Sequence, residues 1–238
     1  LPSHTTLLTG LHPLQHGVLV NSQTALSADV VTLAERLQNA GWKTGAIVSS
    51  AILHHRYGLA DGFDDYRDNY FSDMTQIGEN AFELINARVT TREAVGWLQS
   101  NLDAERLFLF IHYIDPHSPY EPPKRFKKAF AEGPYYGEVA FVDRQIGRLL
   151  QFLKEHALLD GTLLIVTSDH GEGLGDHGAS THGVFLYDEI IRVPLILSGA
   201  GVPKGKTIVE TVGLIDVTPT ILDLAGLEPD PSLPGHVL

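Results

Sequence analysis

The sequence predicts an α/β fold in which a central, mostly parallel sheet carries helices on both faces. Three observations lead there. Short apolar runs of strand length recur near 44–49, 107–113, 162–167 and 193–198. Segments with apolar residues spaced by three and four separate them. No repeat or low-complexity linker breaks the alternation, and strands joined through helices pair in parallel.

The elements follow in order. Pro2, trailed by small hydroxyl residues and leucines, reads as a helix start that ends at Gly10. Thr32 to Glu35 has the form of a capping box, and Leu33, Ala34, Leu37 and Ala40 give one apolar face that stops at Gly41. The first strand follows. Residues 76–102 read as helical, with Gly96 inside, and lead into the strand at 107–111. Tyr135, Val139, Val142, Ile146, Leu149, Leu150 and Leu153 mark a long amphipathic helix. After the strands at 162–167 and 193–197, Thr218 and Pro219 open a helix with proline in its first position, and Gly226 closes it. Segments 54–75 and 121–134 are weakly patterned and read as substrate-selecting loops.

At 238 residues and 43% hydrophobic, the chain can bury a sizeable core. No unbroken apolar run reaches the roughly 18 residues of a membrane span. Seventeen basic against 29 acidic residues give a net charge of −12, which disfavours nucleic acid as a partner. An anionic substrate then needs local positive charge from a metal, histidines or arginines. The absence of cysteine excludes disulfides and thiolate metal sites. With Leu1-Pro2-Ser3-His4 at its start and Met74 as its only methionine, the chain reads as the interior of a longer protein: one catalytic domain over 1–238, incomplete at both ends.

Three polar clusters carry candidate chemistry. Asp169 and His170 follow the strand at 162–167, in the glycine-rich stretch Ser168-Asp169-His170-Gly171-Glu172-Gly173, with His177 and His182 downstream. Open α/β sheets place ligands at the carboxyl ends of strands, and adjacent carboxylate and imidazole suit a divalent metal. The second cluster, His112 to Tyr120, follows the strand at 107–111, and two prolines stiffen the loop that carries His117. Its histidine could bind an anionic oxygen or protonate a leaving group. The third is the N-terminal Leu1-Pro2-Ser3-His4, where a helix start offers backbone N–H groups to an anion. The three are expected to converge at one edge of the sheet.

Taken in order, these clusters resemble the sulfatase branch of the alkaline phosphatase superfamily. The resemblance runs through Leu1-Pro2-Ser3-His4 with Leu8-Thr9-Gly10, His16-Gly17-Val18, Asp115-Pro116-His117-Ser118-Pro119-Tyr120 and Ser168-Asp169-His170-Gly171-Glu172. It continues through Tyr187, Ile191-Arg192-Val193-Pro194-Leu195 and Asp216-Val217-Thr218-Pro219-Thr220. It implies an alkaline-phosphatase-like fold and a hydrolase of sulfate or phosphate esters, with a small anionic ester as substrate. It also implies one divalent metal ion (Ca, Mn, Mg or Zn), with room for a second.

Residue by residue, Asp169 and His170 match the downstream metal pair, which is Asp-Asn in many sulfatases and Asp-His in phosphohydrolase relatives. His117 matches the histidine on the transferred group or leaving oxygen. His182 stands where sulfatases place a sulfate-binding lysine, and a histidine there resembles the phosphoethanolamine and lipoteichoic-acid transferases. His117 and His182 are thus the catalytic candidates, with His4 and His112 as substrate-binding ones. His4 replaces the arginine of the family's C-x-P-S-R motif, whose nucleophile falls one position ahead of Leu1; threonine, serine and formylglycine all remain open. The first metal-binding aspartates also fall upstream. Alternatives are a phosphoethanolamine- or glycerophosphate-type transferase, a phosphodiesterase or phosphonate hydrolase, and a catalytically inactive metal-binding module. The resemblance is compatible with a periplasmic, extracellular or membrane-anchored protein, although the chain shows no membrane segment.

Overall fold

Strand β1, Lys43–Val48, is buried along all but its first residue and receives a parallel neighbour on each side. The computed structural model describes residues 1–68 and 86–238. These divide into two units: Leu1 with Val20–His156, and Pro2–Leu19 with Ala157–Leu238.

In the first unit, β2 (Asp65–Arg67) and β3 (Leu107–His112) flank β1 in the order β2-β1-β3, all parallel. Gly45↔Asp65 and Gly45↔Leu109 set the register. Helix α3, Leu33–Asn39, begins at the expected capping box: the Glu35 N–H donates to Thr32 Oγ1 at 3.1 Å, and the Thr32 N–H to Glu35 Oε2 at 2.8 Å. Helix α4, Ala87–Ser100, buries Trp97 against β1. Gly45 makes that approach possible, since a Cβ there would lie 2.4 Å from Trp97 Cε2. The helix expected over 76–102 is seen from Ala87 onward, and its residues 76–85 lie outside the described ones.

Helices α5 (Lys124–Ala129) and α6 (Pro134–Glu155) complete the unit, joined by Phe126 against Phe141 with ring centroids 5.5 Å apart. The buried face of α6 is Gly137, Glu138, Phe141, Gln145, Leu149, Phe152 and Leu153: Leu149 and Leu153 of the expected stripe are buried, while its earlier part is turned by about one residue. Val139 is exposed, while Glu138 takes an inward position because its carboxylate has work there.

In the second unit, β4 (Leu163–Thr167) and β5 (Leu195–Gly199) pair antiparallel, with Thr167↔Leu195 and Leu163↔Gly199. The strands of the chain are therefore mixed, parallel in one unit and antiparallel in the other. Strands β3 and β4, with the run lengths of fully buried strands, are half-buried throughout. Each has one ladder partner among the described residues. Helix α1, Pro2–Thr9, ends before Gly10 as expected and packs on α8, Val217–Leu224. Thr218 Oγ1 donates to Leu7 O at 2.8 Å across that contact. Pro219 is the third residue of α8 rather than its first, still within the turn whose N–H groups need no helical partner. The short helices α2 (Pro13–His16) and α7 (Asp188–Ile191) hold loops. His16 is a buried tie, accepting the Val18 N–H on Nδ1 at 3.1 Å and meeting Thr6 Oγ1 through Nε2 at 3.1 Å.

Candidate active site

The chain leaves β4 at Thr167 and delivers Asp169 and His170 to the strand's carboxyl end. Ser168 Oγ donates to His170 O at 2.6 Å and fixes the turn. Helix α1 aims at the same carboxylate: Asp169 Oδ2 lies 3.4 Å from His4 Nδ1 and 3.5 Å from Ser3 Oγ. Burial lowers the pKa of His4 to about 4 against the pull of Asp169. The residue standing in the family's arginine position is therefore neutral, and brings none of an arginine's positive charge.

His170 has the arrangement of a metal ligand. Its Nδ1 lies 2.8 Å from Gly171 O, so that nitrogen carries the proton and donates. The unprotonated Nε2 then faces Asp169 Oδ2 at 3.5 Å. Two acceptors directed at one another are relieved by a cation between them, whether a second proton or a metal ion. A carboxylate oxygen and an imidazole nitrogen suit the divalent ions that the sequence implied, so the residues fit the group.

The His182 ring stacks on that of His170, with centroids 4.0 Å apart. Its Nδ1 is 3.1 Å from Glu172 Oε2, and the Glu172 side chain is only 7% exposed. The turn that allows this depends on Gly171, whose Cβ, were there one, would sit 2.0 Å from Glu189 O. In its place the Gly171 N–H donates to Ile190 O at 2.7 Å and the Glu172 N–H to Glu189 O at 3.0 Å. His177, with φ of 52°, is pinned by Glu189 Oε1 at 2.7 Å and stacks on Tyr187.

His112 and His117 belong to the first unit. Ser49 Oγ donates to His112 O at 2.6 Å, lies 3.3 Å from His112 Nδ1 and accepts the Ile114 N–H at 2.8 Å. His117 Nδ1 donates to Ser118 O at 2.7 Å, which leaves Nε2 as its basic nitrogen. The loop contains cis peptides at Asp115-Pro116 and Ser118-Pro119. Glu138 holds it from α6, accepting the His117 N–H at 3.2 Å and the Glu121 N–H at 2.7 Å. Asp115 accepts the Ala87 N–H at 2.7 Å. The second unit thus brings His4, Asp169, His170 and His182 together, while His112 and His117 have their own local frame in the first.

Sequence reasoning assigned no role to Glu172, Glu138 or the trio His54, His55 and Asp68. For Glu138 a signal existed: a carboxylate on the buried side of a helix that carries Phe141 and Leu149 at helical spacing. The trio lies inside the segment read as weakly patterned, and among the described residues it is the group of three donors near enough to share an ion. Asp169 and His170 supply two.

A family model described as Sulfatase matches residues 1–227. The chain belongs to the sulfatase family. Among its relatives is an arylsulfatase of Clostridium perfringens, 29% identical over 99% of this chain and 66% of that protein. Solved structures share the fold. The phosphonate monoester hydrolase of Agrobacterium radiobacter has a TM-score of 0.80 at 22% identity, covering 100% of this chain and 66% of that one. BT4656, solved with its substrate D-glucosamine-2-N,6-O-disulfate, has a TM-score of 0.78 at 20% identity, covering 100% and 69%. The sulfatase-family chain thus has the expected α/β, alkaline-phosphatase-like architecture, and it spans about two thirds of the length of the arylsulfatase. No helix among the described residues is long and apolar enough to cross a membrane.

Proposed function

We propose that this protein hydrolyses esters of sulfate, the substrate being a small anionic molecule. The observation that carries the reading is the Asp169–His170 pair at the end of β4, converging with α1 and backed by His182, in a chain of the sulfatase family. Asp169 Oδ2 and His170 Nε2 would hold a divalent cation, whose chemistry there is to acidify the attacking hydroxyl and neutralise oxygens of the transferred group. His182 stabilises charge on those oxygens, and His117 acts at the leaving oxygen. The family resemblance assigns substrate contact to His4 and His112. The family motif puts the nucleophile one position ahead of Leu1.

Phosphorus in place of sulfur is the second reading. His170 follows Asp169 where many sulfatases have asparagine, and His182 replaces a lysine. The first resembles phosphohydrolase relatives and the second phospho-transferring ones, and the phosphonate monoester hydrolase shares the fold.

The test, in the full-length protein that carries the nucleophile, compares His170→Ala with His182→Ala by metal analysis and by turnover of an aryl sulfate and an aryl phosphate. His170→Ala is expected to lose metal and activity together. His182→Ala keeps its metal and loses about 2–4 kcal/mol of transition-state stabilisation, the size of one lost oxyanion donor. Equal loss of metal in both variants would make His182 a ligand, and turnover of neither ester by the parent protein would overturn the reading.

A further inference from the structure

We propose that His54, His55 and Asp68 form a separate site for a divalent ion of the zinc class, in the first unit and independent of the Asp169–His170 pair. Placement comes first. β1 and β2 run parallel and in register, Ile47 opposite Arg67. The chain leaves β1 through two 3-10 turns, Ala51–Leu53 and His55–Tyr57, with His54 between them. Asp68 is the first residue beyond β2. All three groups thus stand beyond the carboxyl ends of neighbouring parallel strands, where such sheets bind ligands.

The donors converge. Asp68 Oδ2 lies 2.8 Å from His55 Nδ1 and 3.8 Å from His54 Nδ1, and the two rings are 4.0 Å apart, centroid to centroid. One donor atom from each residue falls within 4.8 Å of the other two. Ligands held about 2.0–2.2 Å from a tetrahedral ion stand about 3.3–3.6 Å apart, between the 2.8 and 3.8 Å separations seen here. Two imidazoles and one carboxylate make a nitrogen-rich set that suits zinc, cobalt or nickel and not the all-oxygen shells of calcium or magnesium. Three protein ligands leave a fourth position for water or an anion.

The surroundings are compatible with a cation. Asp68 is 3% exposed, so its charge sits where water cannot screen it, while His55 is 60% exposed and keeps the cluster open to ions. Arg56, the nearby positive charge, is occupied elsewhere: its guanidinium donates to Tyr57 Oη and lies 4.6 Å over that ring. The Arg56 N–H donates to His54 Nδ1 at 3.2 Å, and an ion bound there would take over that lone pair. The competing account is that Asp68 merely caps the turn, since it also accepts the His55 N–H at 2.7 Å.

Cobalt(II) and zinc titrations distinguish the two accounts, using the 238-residue chain with Asp169→Ala and His170→Ala in place to silence the other pair. Calorimetry and the visible cobalt spectrum report binding, and thermal unfolding with and without zinc reports linkage to folding. One ion per chain with tetrahedral-type absorption is expected, and affinity weakened at least tenfold by His55→Ala and by Asp68→Asn. The asparagine retains an oxygen acceptor for the His55 N–H, so a fold held by that cap survives while the charge is lost. Circular dichroism of the metal-free variants verifies this. Absence of binding at about 0.1 mM metal, or affinity unchanged in both variants, overturns the site and leaves Asp68 as a cap.

Discussion

Nδ1 of His182 lies 3.1 Å from Oε2 of Glu172, and this contact decides which nitrogen of the ring carries a proton. A carboxylate accepts, so Nδ1 donates and Nε2 is left with the lone pair or, after protonation, the second proton. The ring plane is set from the other side by the His170 stack.

Glu172 is therefore a positioning residue for His182. Glu172→Ala should lower kcat by roughly 10–100-fold, the range for partners that orient a site residue, while KM changes little. Glu172→Gln should recover part of it. If kcat in Glu172→Ala stays within about twofold of the parent, with His182 still required, the assignment is wrong.

Gly171 leaves no room for a methyl group. Gly171→Ala puts a carbon against Glu189 O and forces apart the two backbone bonds that join residues 171–172 to residues 189–190. A cost of about 1–3 kcal/mol is expected, as for overpacking elsewhere, read as a lower Tm together with weaker metal retention. A Tm matching the parent's would show that the turn can shift.

Glu138 gives a pH signature. Burial, aided by the neighbouring charge of Asp115, raises its pKa from 4.5 to about 7, although the Glu121 and His117 N–H groups favour the ionised form. The folded state then holds this proton more tightly than the unfolded chain does. Its contribution to stability is fully present below pH 4.5 and is lost as pH rises through 7. Glu138→Gln should flatten the fall in Tm between pH 4.5 and about 8. Parallel Tm curves for parent and variant would contradict this.

Thr32 closes the capping box of α3 and also donates to Asp61 O at 2.8 Å. Thr32→Ala should cost about 1 kcal/mol, seen as a Tm lower by roughly 2–4 °C for a chain of this size. Thr32→Ser should retain most of it.

What the sequence disclosed follows the range of the interactions. The capping box at Thr32 and Glu35, the stops at Gly10 and Gly226, and the four apolar strands all depend on neighbours within a few residues, and each was legible. The position of Asp169 and His170 at the end of β4 was legible because a strand and a glycine turn announce it. The grouping of His4 with Asp169 needed the family resemblance, since nothing local links residues that far apart. Glu138 was passed over because helical periodicity marks apolar residues, whereas the helix here turns a carboxylate inward to hold two loop N–H groups. His54, His55 and Asp68 gave no signal, since their meeting is set by the register of β1 on β2 and by two 3-10 turns. The antiparallel pairing of β4 with β5 was equally hidden, because an apolar run records burial and not direction.

The bond from Thr218 to the carbonyl of Leu7 spans 211 residues. During synthesis α1 emerges long before α8, and at about 5–20 residues per second the partner arrives roughly 10–40 s later. Until then α1 has no α8 to pack on, and the Leu7 carbonyl lacks the Thr218 hydroxyl. The helix that carries Ser3 and His4 toward Asp169 is thus made well before it can be seated. A ribosome that pauses within the first unit prolongs that exposure without altering a single codon of the site.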